Sequence, residues 1–159
     1  MKRMVLGITG SREGMTGLQK TALQHWLTDM VRELGEPVDE VHHGDCIGVD
    51  EEAHYLIVEN RFTKRIVIHP PITNTLRANC LVLPPTPVQL EVTAPAPYLD
   101  RDKAIVQASA VLLAFPKAPT ETVRSGTWYT VRYARYRKRP IRIFLPDGTI
   151  LAEDHDDDV

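Results

Sequence analysis

Met4-Val5-Leu6-Gly7-Ile8-Thr9, followed at once by Gly10-Ser11-Arg12, is the stretch from which the rest of the chain reads. It is apolar at nearly every position instead of at alternate ones, so both faces must be buried, as in a strand inside a parallel sheet. A parallel neighbour needs a crossover, and the sequence supplies a helix for it. Thr16 precedes Gln19 at the spacing of a capping box. Leu18, Ala22, Leu23, Trp26, Leu27, Met30, Val31 and Leu34 then recur in steps of three and four, one apolar stripe. Gly35 closes this helix and Pro37 bars its continuation.

The unit repeats. Glu40-Val41-His42-His43 is expected as a short strand, Gly44 to Gly48 as a turn, and Val49 to Asn60 as a helix, before a third strand over Arg65 to His69. Within 70–97 no period survives. Pro84, Pro85, Pro87, Pro95 and Pro97 mark an irregular loop of the kind that usually carries function. Leu99 to Ser109 reads as a helix, Ala110 to Phe115 as the strongest strand, Gly126 to Arg137 as a helix, and Pro140 to Leu145 as a last strand. Pro146-Asp147-Gly148-Thr149 is a turn. About five strands alternating with about four helices make a doubly wound, Rossmann-like α/β sandwich of three layers with a mainly parallel sheet. One domain spans 1–150; residues 151–159, with the acidic run Glu153 to Asp158, are read as a disordered tail.

With 159 residues the chain has room for one core, and 43% hydrophobic against 25% charged residues excludes wholesale disorder. No apolar run reaches the roughly 18 residues of a membrane span. Met1-Lys2-Arg3-Met4 leads into the first strand without a signal peptide's apolar region. Cys46 and Cys80 are too few for a disulfide scaffold or a cysteine-built zinc site. A cytoplasmic protein with no membrane partner is expected. A net charge of -2 gives no overall pull toward nucleic acid, so the ligand is expected to be small.

In an open parallel sheet, ligands sit beyond the carboxyl ends of the strands, where the strand order reverses. Three glycine-bearing turns fall at such ends: Gly10-Ser11-Arg12, Gly44-Asp45-Cys46-Ile47-Gly48 and Ser125-Gly126-Thr127. Each lies at or near a helix start, where unpaired N–H groups and the positive end of the helix dipole attract phosphate or carboxylate. Ser11, Ser125 and Thr127 add hydroxyls; Arg12 and Arg124 add charge. One such turn is explained by the tightness of strand-to-helix connections. Three together predict an anionic ligand such as a nucleotide. Neither GxxxxGKS, GxxxxGKT nor GxGxxG occurs, which sets aside P-loop hydrolases and the usual dinucleotide dehydrogenases.

Several blocks, taken in order, resemble one superfamily. They are Gly7-Ile8-Thr9-Gly10-Ser11-Arg12, then His43-Gly44-Asp45-Cys46-Ile47-Gly48-Val49-Asp50 with Ala53-His54, then Tyr98-Leu99-Asp100-Arg101-Asp102-Lys103-Ala104-Ile105-Val106. Leu112-Leu113-Ala114-Phe115-Pro116, Arg124-Ser125-Gly126-Thr127-Trp128 with Val131-Arg132-Tyr133-Ala134-Arg135, and Pro146-Asp147-Gly148 complete the series. The chain resembles the SLOG superfamily, Rossmann-like nucleotide-binding proteins named after Smf/DprA and LOG, over nearly its whole length. That resemblance implies a binder or sensor of a nucleotide or nucleotide-derived ligand.

The resemblance also implies two alternatives. LOG-like proteins are phosphoribohydrolases that cut the N-glycosidic bond of a nucleoside 5'-monophosphate, and they carry PGGxGTxxE. Thr130 stands where that glutamate would be, and a hydroxyl does not stabilise an oxocarbenium-like centre or activate water as a carboxylate does. Asp45, Asp50, Glu51 or Asp102 would have to supply the carboxylate from another turn. The DNA-processing protein A branch binds single-stranded DNA, which needs a basic groove with stacking aromatics. Arg132, Arg135, Arg137, Lys138 and Arg139 with Tyr133 and Tyr136 offer one, although a solvated helix face is the simpler account in a net acidic chain.

The expected ligand-binding set is therefore Gly10, Ser11, Arg12, Gly44, Asp45, Gly48, Asp50, Arg101, Ser125, Gly126 and Thr127. Phosphate would rest on the first and third turns, with Asp45 and Asp50 toward the ribose or base. Arg101 would clamp the anion, because a cation is out of place in the first turn of a helix unless something negative lies near. Arg77 would cover the site from the irregular loop. His42, His43, His54 and His69 have the look of metal ligands, but histidines at strand ends more often bond a loop, so no metal and no cofactor are expected. Cys46 has no evident base to make it a nucleophile, and Trp128 is expected in the core. No catalytic residue is assigned. Nucleic acid is a disfavoured partner, and pairing into a homo-oligomer would cover the long proline-rich loop.

Overall fold

The computed structural model describes residues 3–155. Seven strands and four helices follow in the order β1 (Val5–Gly10), α1 (Gly17–Leu34), β2 (Val38–His43), α2 (Val49–Glu59), β3 (Thr63–Ile68), β4 (Gln89–Val92), α3 (Tyr98–Ala108), β5 (Val111–Phe115), α4 (Gly126–Tyr136), β6 (Ile141–Phe144) and β7 (Ile150–Glu153). The sheet runs β4-β3-β2-β1-β5-β6-β7. Every pairing is parallel except β6 with β7, which is antiparallel. This is a Rossmann-like α/β architecture.

β5 shows why apolar runs without alternation form the centre of such a sheet. Leu113 and Phe115 point into one core, with Leu23 and Leu27 of α1 and Val49, Ala53 and Ile57 of α2. Leu112 and Ala114 point into the other, with Val106 of α3 and Trp128, Val131 and Ala134 of α4. Successive side chains of a strand face opposite ways, so a strand covered by helices on both sides must be apolar throughout. Three layers result. Trp128, 5% exposed, is part of the second core, as expected.

Helix α1 begins as its sequence predicts. The Thr16 hydroxyl accepts from the Gln19 N–H (3.0 Å), and the Gln19 side-chain oxygen accepts from the Thr16 N–H (2.9 Å). Gly35 ends it at φ 76°, a left-handed conformation that glycine adopts without a steric cost.

Two strands exceed the sequence expectation, both short and at the edges. β4 lies inside the supposed irregular loop; all four of its residues are exposed, so no burial pattern announces it. β7 takes residues 151–153 out of the expected tail. The Pro146–Thr149 turn closes a hairpin, with the Gly148 N–H donating to the Leu145 carbonyl (2.8 Å) and the Leu145 N–H to the Thr149 carbonyl (2.8 Å). Glu153 is gripped at both carboxylate oxygens by Arg135, and Asp154 pairs with Arg142 (2.9 Å). The remainder of the acidic run, from Asp156 on, lies outside the described residues. Residues 69–88 cross from β3 to β4 without a helix, packing Ala78, Cys80, Val82 and Val88 against the α2-side core. No helix is long and apolar enough to cross a membrane among the described residues.

Candidate functional site

The strand order departs in opposite directions from β1 and β5, so a crevice opens between the connections that leave them. A cleft of about 640 Å³ occupies that place. One wall is the β1 turn, Gly10 to Glu13. The second is the β5–α4 connection, with Lys117, Arg124, Ser125, Gly126 and Thr127. The floor comes from Gly44 and Cys46 of the β2–α2 turn, Asp50 of the first turn of α2, and Tyr98, Leu99, Arg101 and Asp102 of α3. Of the expected ligand set, Gly10, Ser11, Arg12, Gly44, Asp50, Arg101, Ser125, Gly126 and Thr127 meet here; Asp45 and Gly48 do not.

Gly10 and Gly48 are explained by close approach. A Cβ on Gly10 would stand 2.5 Å from the Val49 side chain, so the bare backbone lets α2 reach β1. Gly48, at φ 94°, lies against the backbone of Ser11 and Arg12 (2.5 Å from a Cβ) and fastens one turn to the other from behind. The Ser11 carbonyl accepts the Val49 N–H (3.0 Å), and its hydroxyl accepts the Glu13 N–H (3.0 Å). Ser125 caps α4 by accepting the Trp128 N–H (3.3 Å), at the open end of the helix where an anion is favoured. Arg12 and Arg124 make no ion pair among the described residues, while Lys117 reaches Glu13 at 3.3 Å on the surface.

Asp45 corrects the expectation that it faces a ribose or base. It is fully buried, with Oδ2 on the Arg77 Nε–H (2.9 Å) and Oδ1 on the Cys80 N–H (2.9 Å). Its own carbonyl takes the Ala78 N–H (2.7 Å). Asp45 is thus a fastening for the 69–88 segment, and Arg77 is the other half of that fastening instead of a cleft cover. Its φ of 58° suits aspartate, which tolerates the left-handed region better than most residues.

Arg101 is also not the free clamp expected. Its Nη1–H donates to the Gly44 carbonyl (2.6 Å), both Nη groups face Cys46 Sγ (3.6 and 3.7 Å), and its Nε stands 2.9 Å from Asp102 Oδ1. That Nε–Oδ1 contact is an ion pair whose N–H is not aligned for a hydrogen bond, so Nε stays without a hydrogen-bonding partner. A buried guanidinium that ties α3 to the β2–α2 turn acts first as a brace. The cations left for an anion are Arg12, Arg124 and Lys117, the last missed by sequence reasoning because nothing in its local pattern places it opposite Ser11.

The carboxylates divide by environment. Burial pushes the Asp50 carboxyl up to about 7, against the pull of Arg101 and of the Cys46 and Gly44 N–H groups on Oδ2 (3.3 and 3.1 Å). Burial also raises Asp102, which Arg101 and the adjacent Thr130 hydroxyl pull back down. The Cys46 thiol is pushed up by burial, with Asp50 adding to the push, so the helix start does not make it a thiolate.

The histidines form two pairs outside the cleft. His43 Nδ1 accepts the Asp45 N–H (2.9 Å), which places its proton on Nε2, directed at His54 Nδ1 (3.0 Å); His54 Nε2–H then donates to the Leu81 carbonyl (2.9 Å). With Cys80, these atoms lie within 4.8 Å of one another, yet the tautomer leaves His43 no lone pair for an ion. His42 stacks on His69 (2.7 Å between Nδ1 and Nε2) and contacts Glu40 (2.9 Å). The basic stretch of α4 is largely engaged: Arg132 and Arg135 with Glu121, Arg135 also with Glu153, and Arg139 with the Val106 and Gln107 carbonyls. A second groove of about 500 Å³ lies at the opposite ends of the strands. Its Arg3, Lys64 and Arg65 are paired with Glu40, Glu36 and Glu91.

No family model matches the chain, and no curated protein matches it. Among solved structures, the X-ray structure of TM1055, a structural genomics target, is similar at 15% identity and a TM-score of 0.49, over 87% of this chain and 72% of that one.

Proposed function

We propose that the cleft binds a nucleotide or nucleotide-derived ligand and that the protein is a binder or sensor of it. The observation that carries this reading is the meeting of the Ser11 turn, the open amino end of α4 and three cations at the reversal of strand order, opposite the carboxyls of Asp50 and Asp102. The turns' likeness to SLOG proteins supports it. Phosphate rests between Ser11–Arg12 and Ser125–Thr127, and Arg124 and Lys117 flank it. The test is a thermal-shift screen with nucleoside mono- and diphosphates, cyclic nucleotides, NAD and ADP-ribose, each well then checked by mass spectrometry. A ligand at a hundred times its Kd adds about 2.7 kcal/mol of stability, a shift visible in a domain of this size. Intact ligand with a shift supports the reading, and no shift with any of them removes it.

One observation favours a second reading, hydrolysis of a nucleoside 5'-monophosphate. Asp102 lies near Thr130, the residue at the LOG glutamate's position, which supports a carboxylate supplied from α3. Release of free base in the same wells would establish it. Single-stranded DNA binding loses support from the engaged arginines of α4. Pairing of two copies remains our proposal for Leu81, Leu83 and Val92, exposed along 69–88 and β4, with light scattering as its test.

A further inference from the structure

Two polar atoms of cleft-lining residues have no hydrogen-bond partner among the described residues: Asp50 Oδ1 and Arg101 Nε. Both residues are more than nine-tenths buried, at 7% and 6% exposure. One atom accepts and the other donates. An unmatched buried polar group costs about 1–3 kcal/mol, more if charged, so each such atom needs an account. Asp50 Oδ2 takes two backbone N–H groups, and the neighbouring Asp45 has both oxygens filled. The start of α2 and the turn before it are therefore able to saturate a carboxylate, and at Asp50, a residue that lines the cleft, one partner is lacking.

Resting on the anion seat argued above, we propose that Asp50 and Arg101 seat the hydroxyls of a sugar attached to that anion, with Asp50 setting the preference for a phosphorylated sugar over bare phosphate. A hydroxyl is donor and acceptor at once, and adjacent sugar hydroxyls supply both complements, an O–H for Oδ1 and a lone pair for the Nε–H. The wall opposite carries the cations and the α4 amino end, so one molecule bearing phosphate at one end and hydroxyls at the other satisfies both sides.

The charges facing Asp50 give the site a pH signature. Arg101 and Asp102 face it from α3, Cys46 from its own turn and Cys80 from the 69–88 segment. Both thiols are raised by burial and stay neutral, and the carboxyl itself is held at about 7. A hydroxyl donating to Oδ1 favours the ionised form, so binding releases a proton near neutrality and strengthens as pH rises through that value.

Ribose 5-phosphate and inorganic phosphate, titrated calorimetrically into the full chain and into D50N at about pH 6 and about pH 8, decide the matter. The natural protein is expected to favour the sugar phosphate by on the order of tenfold or more, with a wider margin at the higher pH. Asparagine keeps an acceptor for the Gly44 and Cys46 N–H groups, so D50N folds, and it binds the two probes alike at both pH values. A phosphate monoester loses its second proton about a unit below inorganic phosphate, so each affinity is referred to the probe's dianion concentration at that pH before the ratio is taken. Equal affinity in the natural protein, or a preference that D50N retains, overturns the role of Asp50 and leaves the anion seat standing. Failure of both probes to bind removes the seat and the role together.

Discussion

Asp45, in the connection between β2 and α2, and Asp50, in the first turn of α2, are both buried and do opposite things. Asp45 has every acceptor matched, by Arg77, by the Cys80 N–H and, at its carbonyl, by the Ala78 N–H. Asp50 has one oxygen matched twice and the other, among the described residues, not at all. The first holds the chain to itself. The second, a residue that lines the cleft, keeps hydrogen-bonding capacity unspent. What separates a structural carboxylate from a ligand-facing one is thus neither residue type nor burial but how much of its bonding the protein has already used.

Replacing the two should therefore give opposite signs. D45A leaves the Arg77 guanidinium and the Cys80 N–H without their acceptor. Removing one member of a buried pair costs about 3–5 kcal/mol, read by urea denaturation. A loss under about 1 kcal/mol would mean that the 69–88 segment is held by something else, and the contrast would fail. D50N should stabilise. Asp50 has a folded value of about 7 against 3.8 for the free group, so the stability it permits is whole below about 4 and is lost as pH rises through 7. D50N should match the natural protein near pH 4 and exceed it near pH 8 by on the order of 2–3 kcal/mol. On the acid side, burial holds His43 below its usual value, so unfolding takes up protons and stability falls as pH drops below 6.5.

Three smaller changes sharpen the contrast. G44A places a Cβ 2.1 Å from Arg101 Nη1 and should cost about 1–3 kcal/mol, because the guanidinium it displaces is buried and bonded. R132A removes donors to the Thr122 and Val123 carbonyls, on the exposed stretch that leads to Arg124 at the cleft. About 1 kcal/mol is expected, together with a weaker anion affinity if the β5–α4 connection loosens. The double variant R137A/K138A should leave melting within about 0.5 kcal/mol. An electrophoretic shift with single-stranded DNA at low salt that this variant abolishes would revive the nucleic-acid reading.

The sequence made the crevice legible but not its interior. Gly10, Gly44 and Ser125–Thr127 stand at strand ends, and that placement follows from alternating strand and helix alone. Which side chains point inward does not. Asp45 was expected to meet the ligand because it neighbours Gly44, but its partners Arg77 and Cys80 come from a segment without periodicity. Arg101 reads in the sequence as a clamp for a ligand anion; its protein partners are Asp102, next to it in the chain, and the Gly44 carbonyl. Lys117 gives no local signal at all. The sheet's ends were harder still. Gln89-Leu90-Glu91-Val92 does alternate polar and apolar, yet prolines on either side made it read as loop. β7 is hidden in a run judged by its acids.

Those two short strands also limit how far the protein can polymerise through its backbone. Each end of the sheet is four residues long. One end carries Glu91 between Pro87 and Pro95, and the other turns back antiparallel and passes directly into Asp154. A passing strand finds few free N–H and C=O groups at either place and meets ion-paired, hydrated side chains beside them. The ladder of the parallel sheet stops where it is, and a protein built around an extended β-rich centre carries its own guard against fibre-like stacking.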